Sequence, residues 1–189
     1  MFVIRNAEPT DAERLLEIYD YYVKNTAITF EYDTPDLEEF KNRIMNIQTR
    51  YPYLVILREG QIEGYAYAGA FKGRKAYDWS CEVSIYLDYN AQKSGMGRSL
   101  YEALEKALKN MGVVNLYACI AYPEKSDEYL TTNSADFHAH LGYKKIGEFQ
   151  KCGYKFHRWY HMIWMEKIIG KHEADMTEIC DYPNLFDKI

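Results

Sequence analysis

The sequence predicts one α/β domain, a mixed sheet of about seven strands with helices packed beside it. Three observations carry that expectation. Runs of alternating, β-branched and aromatic residues recur from Phe2 to Ile168, with amphipathic helical segments between them and no internal repeat or low-complexity stretch. In the middle of the chain a strand, a glycine-containing loop, an amphipathic helix and an apolar run follow one another, the order of a right-handed β-α-β crossover. A chain of 189 residues is also long enough for one full-sized core.

Phe2 to Arg5 reads as the first strand, and Pro9-Thr10-Asp11-Ala12-Glu13 opens a helix through a capping box between Thr10 and Glu13. Leu15, Leu16, Ile18, Tyr19, Tyr22 and Val23 form the apolar side of that helix. A second helix starts at Thr34-Pro35, with proline at its first position and Asp36, Glu38 and Glu39 in the opening turn, and runs to about Arg50. Tyr53–Arg58 and Ile62–Phe71 are strands flanking the hairpin signal Glu59-Gly60. Asp78–Leu87 is the next strand, followed by the glycine loop and a helix whose apolar residues Leu100, Ala103, Leu104, Ala107, Leu108 and Met111 stop at Gly112. Val113–Ala121 is apolar without clean alternation, as in a strand buried on both faces. Asn133–Leu141 is a short helix stopped by Gly142, and Lys144–Phe149 and Trp159–Ile168 complete the sheet. Residues 1–169 form the domain, and 170–189 an acidic, partly amphipathic tail with no assigned chemistry.

A net charge of −5 argues against a general nucleic-acid or anionic-membrane surface. The longest mostly apolar run, Val113–Tyr122, is far shorter than a spanning helix, and the N-terminus is too polar for a signal-peptide core. Cys81, Cys119, Cys152 and Cys180 are scattered without metal-ligand spacing, so no metal is expected and the thiols read as reduced, mostly buried and cytoplasmic.

The most informative stretch is Gln92-Lys93-Ser94-Gly95-Met96-Gly97-Arg98-Ser99, between a strand and a helix. Free N–H groups and the positive end of a helix make this a seat for a phosphate or pyrophosphate, and the glycines keep side chains away. A P-loop would end Gly-Lys-Ser/Thr where this one ends Gly97-Arg98-Ser99, and a dinucleotide fingerprint needs a small residue where Leu100 stands. The loop resembles instead the Q/R-x-x-G-x-G/A signature of the GNAT superfamily of N-acetyltransferases. Further motifs narrow the likeness: Ala66-Tyr67-Ala68-Gly69, Tyr77-Asp78-Trp79, Glu82 with Val83-Ser84-Ile85-Tyr86-Leu87, Phe137-His138-Ala139-His140-Leu141-Gly142-Tyr143, and Gly153-Tyr154-Lys155. Together they look like the phosphinothricin acetyltransferase branch. The segment Pro123–Thr132 is longer than the corresponding loop of that group, and the tail after Gly170 lacks a counterpart.

The resemblance implies a GNAT-like fold, acetyl-CoA as cosubstrate, a small-molecule amine as acceptor and a homodimer, and the charge balance adds that neither nucleic-acid nor membrane partners are expected. The amine is an amino acid or analogue such as phosphinothricin, methionine sulfoximine or methionine sulfone, attacking the thioester directly. A module that binds acyl-CoA without catalysis, and enzymes acetylating polyamines or protein amines, are the alternatives. The likeness assigns Glu82 as general base, with a structural salt-bridge partner as its other reading. His138, in the pattern Asn133-x-x-x-Phe137-His138, stands where a tyrosine commonly faces the sulfur of coenzyme A. It is expected to protonate the leaving thiolate or bond the substrate, or else to be structural. Asn133 binds the pantetheine arm or caps its helix. Backbone amides of Ile85, Tyr86 and Leu87, freed by a bulge or splay, hold the arm and polarise the carbonyl, while residues 92–99 hold the pyrophosphate. Lys72 and Arg74 clamp a substrate carboxylate or form a solvated turn, and Phe30 and Tyr77 join them around the substrate, with Tyr32, Trp159 and Tyr160 as further wall candidates.

Overall fold

Arg5 and Asp11 decide how the chain leaves its first strand. The computed structural model describes residues 2–91, 95–183 and 185. In it β1 (Phe2–Asn6) ends where Arg5 forms a two-pronged ion pair with Asp11, at 2.6 and 2.9 Å. The Asp11 carboxylate also accepts the Glu8 N–H at 2.8 Å, so the capping box joins Glu8 and Asp11 across a single 3₁₀ turn rather than Thr10 and Glu13. Pro9 begins that turn, which moves the start of α1 (Ala12–Asn25) beyond Thr10. Likewise the cap of α2 (Leu37–Gln48) is Asp36, whose side chain accepts the Glu39 N–H, and Pro35 lies outside the helix.

The sheet follows in the order β1–β2–β3–β4–β5–β7–β6, with β2 at Tyr53–Arg58, β3 at Gln61–Ala70, β4 at Ser80–Leu87, β5 at Asn115–Tyr122, β6 at Lys144–Lys155 and β7 at Arg158–Ile168. Alternate residues of the strands feed two cores. Leu54, Ile56, Ala66, Val83, Leu116 and Ile163 pack under α3 (Met96–Met111), and Val55 and Tyr65 pack under α1 and α2. The α3 face of β5 is covered, with Leu116, Ala118 and Ile120 buried; on the other face Cys119 is exposed and Ala121 is buried at the strand's end in the small cluster with Ala27, Leu130 and Tyr160. The expectation of a strand buried on both faces therefore fails, because the α1–α2 core draws on β2 and β3 and reaches no residue of β5. The thiols are also not mostly buried: Cys81 is, Cys180 is intermediate, and Cys119 and Cys152 are exposed.

β6 continues six residues past Phe149. A register irregularity between Phe149 and Gly153, with Lys151 at φ 48°, interrupts the alternation and gives this stretch the appearance of a loop in the sequence. After α4 (Asn133–His140) and the outer hairpin, the tail folds back along the body: the Trp79 indole N–H donates to the Thr177 carbonyl at 2.8 Å, the Cys180 N–H to Met111, and the Tyr182 hydroxyl to Asn6.

The feature that makes room for a site is the relation of β4 to β5. The two are parallel, joined through α3, and pair only at Ser80–Asn115, Cys81–Leu116 and Glu82–Tyr117. Beyond Glu82 they part, while β3 stays on the outer edge of β4 and β7 runs the full length of β5.

Candidate active site

The fork opens a line of backbone donors. Phe71 N–H bonds the Ser80 carbonyl and Asp88 N–H the Glu63 carbonyl, which fixes the alternation of the β3–β4 ladder. In that register Ser84 and Tyr86 exchange hydrogen bonds with Tyr67 and Tyr65, and the N–H groups of Ile85 and Leu87, on the β5 side beyond the last paired position, turn toward the gap. Of the three amides singled out in the sequence, Ile85 and Leu87 thus face the cleft and Tyr86 belongs to the ladder. No bulge is involved in β4; the splay between strands does the work. The Leu87 carbonyl is taken by the Tyr22 hydroxyl at 2.6 Å, which anchors the strand end.

Glu82 stands at the last paired position, half-buried. Burial pushes its pKa above the ordinary carboxylate value of 4.5, and the nearby Lys72 charge works in the opposite direction. Glu82 is therefore a stronger base than a solvated glutamate. Lys72 lies over the rings of Phe71 at 4.8 Å and Trp164 at 5.5 Å. Arg74 is exposed at the start of the turn Lys75–Tyr77, and Tyr77 meets Phe71 edge-on at 5.9 Å. Phe30 packs in the small cluster of Ala27, Leu130 and Tyr160. None of Phe30, Lys72, Arg74 or Tyr77 lines either of the two cavities described next, and Lys72 alone is electrostatically coupled to Glu82.

Within the fork a cavity of about 60 Å³ is walled by Ile85, Tyr101, Cys119 and His138 among others. His138 is 3% exposed, and burial lowers its pKa, so the ring is neutral at physiological pH. Its Nδ1 lies 2.7 Å from the Ser134 carbonyl and carries the proton; Nε2 therefore accepts the Tyr101 O–H at 2.9 Å. In this arrangement His138 has no proton to offer the cavity. The mobile proton there is the Tyr101 hydroxyl's, a residue passed over in the sequence because a tyrosine at helical spacing looks like core.

A larger cavity of about 360 Å³ runs from Ile85 and Leu87 to Gly95, Gly97 and Arg98 at the start of α3. Gly95, at φ 83°, caps the helix in a left-handed conformation. Gly97 is buried: a Cβ there would lie 3.2 Å from the Phe137 ring and 3.3 Å from a Leu87 methyl. Ser99 N–H already bonds the Gly95 carbonyl, leaving the N–H groups of Met96, Gly97 and Arg98 at the helix mouth. The Met96 side chain is fully buried in the core, so only its backbone is available, and the Arg98 side chain is exposed 4.0 Å from Glu102. Gln92, Lys93 and Ser94 lie outside the described residues. Asn133 lines this cavity as the first residue of α4; Thr132 precedes it in the cap position, which removes the capping role considered for Asn133.

Comparison with known proteins fits this geometry. Residues 4–164 match the family described as acetyltransferase (GNAT) domain. The chain is 32% identical over 164 residues to phosphinothricin N-acetyltransferase of Streptomyces viridochromogenes, covering 87% of this chain and 86% of that one. Among solved structures, a phosphinothricin acetyltransferase from Sinorhizobium meliloti in complex with acetyl-CoA superposes with a TM-score of 0.86 at 32% identity, covering 97% and 96% of the two chains. A protein described as ribosomal-protein-alanine N-acetyltransferase from Brucella melitensis gives 0.80 at 32% identity, covering 88% and 99%.

Glu82→Gln separates a catalytic from a structural carboxylate. The variant is expected to lose roughly a hundred-fold or more of its rate at neutral pH, recovering as rising pH deprotonates the free amine, with acetyl-CoA affinity unchanged. Because the folded state raises the Glu82 pKa, stability falls as pH rises from about 4.5 through the raised value, so the glutamine variant is expected to be the more stable protein at pH 7. Lower stability together with weaker acetyl-CoA binding, by denaturation and calorimetry, would make Glu82 a structural residue.

Proposed function

Because this chain belongs to the GNAT acetyltransferase family and takes its acyl group from acetyl-CoA, we propose that its acceptor is the primary amine of a small amino acid or analogue, of the phosphinothricin and methionine sulfoximine type. The observation that carries the site assignment is the position of Glu82, a half-buried base at the point where β4 leaves β5 and the amides of Ile85 and Leu87 come free.

In this reading Glu82 accepts a proton from the amine, whose nitrogen then attacks the thioester carbonyl carbon. The Ile85 N–H polarises that carbonyl; a donor of this kind is worth about 3 kcal/mol in the transition state. As the carbon–sulfur bond breaks, the Tyr101 O–H turns from His138 Nε2, which accepts it at rest, to the sulfur and protonates the leaving thiolate; the second proton shed by the nitrogen as it becomes an amide leaves to solvent, from which Tyr101 is reprotonated, and His138 acts only through Tyr101. The N–H groups of Met96, Gly97 and Arg98 hold the pyrophosphate. Asn133 and the Leu87 N–H hold the pantetheine arm. Lys72 and Arg74 attract the substrate carboxylate, with Phe30 and Tyr77 on the same side.

The rest of the proposal concerns setting. A homodimer is supported by the outer hairpin, which leaves Ile146, Phe149 and Trp159 exposed at 52%, 53% and 58%. A cytoplasmic location is supported by four free cysteines, and no helix among the described residues is long and apolar enough to cross a membrane. A second reading, acetylation of a protein N-terminus, draws on the likeness to the Brucella protein.

Thiol release measured with phosphinothricin, methionine sulfoximine, ordinary amino acids, a polyamine and an alanine-initiated peptide ranks these readings. Turnover of the carboxylate-bearing small amines above the peptide is expected. The reverse order would install the protein substrate, and acetyl-CoA binding without turnover of any amine would reduce the chain to a binding module. Sedimentation of the same sample is expected to give twice the chain mass.

A further inference from the structure

Ile28 stands where the two cavities meet. It lines both the 60 Å³ space in the fork and the 360 Å³ groove leading to α3, and among the described residues the only others common to the two are Ile85 and Ser134. Ile85 belongs to β4 and Ser134 to α4, so the third side of the neck is supplied by the segment between α1 and α2. Ile28 has nothing but hydrocarbon to contribute there, and it is 39% exposed.

The segment carrying it is fixed from every side. Ile28 N–H donates to the Thr26 hydroxyl oxygen at 3.2 Å, and that hydroxyl donates to the Tyr22 carbonyl at 2.8 Å. Ala27 N–H donates to the Tyr129 carbonyl at 3.0 Å. Lys155, 2% exposed, spends its ammonium protons on the carbonyls of Val23, Thr26 and Thr29 at 2.8, 2.9 and 2.8 Å. An ammonium has three donors, and three carbonyls bracketing Ile28 receive them. Burial pulls the Lys155 pKa down to about 8 against the opposing influence of the Glu31 charge, so the ammonium keeps its proton at neutral pH. A buried charge used this way is a costly means of holding a loop unless the position of that loop matters.

We propose that Ile28, positioned by Lys155, sets the length of the acyl group that the enzyme accepts from a coenzyme A thioester. This rests on the acyl-transfer reading given above. The fork beyond the neck has room for a short acyl group; a longer one must extend against the Ile28 side chain, and a methylene that does not fit an apolar pocket costs roughly ten-fold or more. Lys155 touches neither cavity and acts only by setting the place of Ile28.

The test is a ladder of acetyl-, propionyl- and butyryl-CoA, read as kcat/KM with one accepted amine and as Kd by calorimetry without amine, in the full-length protein, Ile28→Ala and Lys155→Met. Ile28→Ala is expected to raise the butyryl-to-acetyl ratio by about ten-fold in both readouts, leaving the affinity for coenzyme A itself unchanged. Lys155→Met is expected to move the ratio in the same direction. An unchanged ratio in Ile28→Ala overturns the proposal, as does a rise in the KM for amine with acyl preference fixed, which would put Ile28 on the acceptor side. Equal weakening of all three thioesters in Lys155→Met would remove its positioning role, and if that variant does not fold, Ile28→Ala decides alone. Should no amine release thiol, the acyl-transfer reading fails, yet the calorimetric ladder still decides whether Ile28 measures acyl length.

Discussion

Everything in this molecule's site depends on two neighbouring strands that stop pairing. β4 and β5 share three register positions and then diverge, although a buried amide without a partner costs about 1–3 kcal/mol and strands so placed would otherwise close. They are kept apart by what each does on its other edge. β4 is bound to β3 as far as Leu87, β5 is bound to β7 from Asn115 to Tyr122, and the Tyr22 hydroxyl holds the Leu87 carbonyl. Tyr101 and His138 fill the gap from the side of α3 and α4. The donors at Ile85 and Leu87 are thus aimed before any ligand arrives, and no reorganisation is needed when charge develops beside them.

The same fork separates the two proton movements of the proposed reaction. Glu82 shares its side of the sheet with Tyr86, which packs against Tyr19 and Tyr22 of α1. Tyr101 projects from α3 on the opposite side, sealed in the core with His138. The base is on one face and the acid on the other, with the reacting carbonyl between them. Burial raises both pKa values: it makes Glu82 a better proton acceptor and Tyr101 a weaker acid, whose proton moves only as negative charge develops on the sulfur.

Much of this was legible in the residues. The alternation at Val83, Ile85 and Leu87, the glycines at 95 and 97, and the helical spacing from Leu100 to Met111 placed the strand, the helix start and the helix where they are found. What the sequence hid was non-local. The end of pairing at Glu82–Tyr117 is set by contacts of β5 with β7, a strand far along the chain, and no local pattern announces it. The His138 proton inventory depends on the Ser134 carbonyl and on Tyr101, so the ring's identity alone suggested a donor where the geometry makes an acceptor. Helix starts shifted because Asp11 and Asp36 outcompeted their neighbours for backbone N–H groups. Lys155 was read as a family motif letter, and its three carbonyl partners lie more than a hundred residues earlier.

Amide hydrogen exchange at single-residue resolution, with and without acetyl-CoA, reaches the fork most directly. The account predicts that the Ile85 and Leu87 amides exchange readily in the free protein and become protected when the thioester binds, while Tyr86, already in its ladder, stays slow throughout. Equal protection of all three amides before ligand is added, or no change at Ile85 and Leu87 once it is bound, would contradict it.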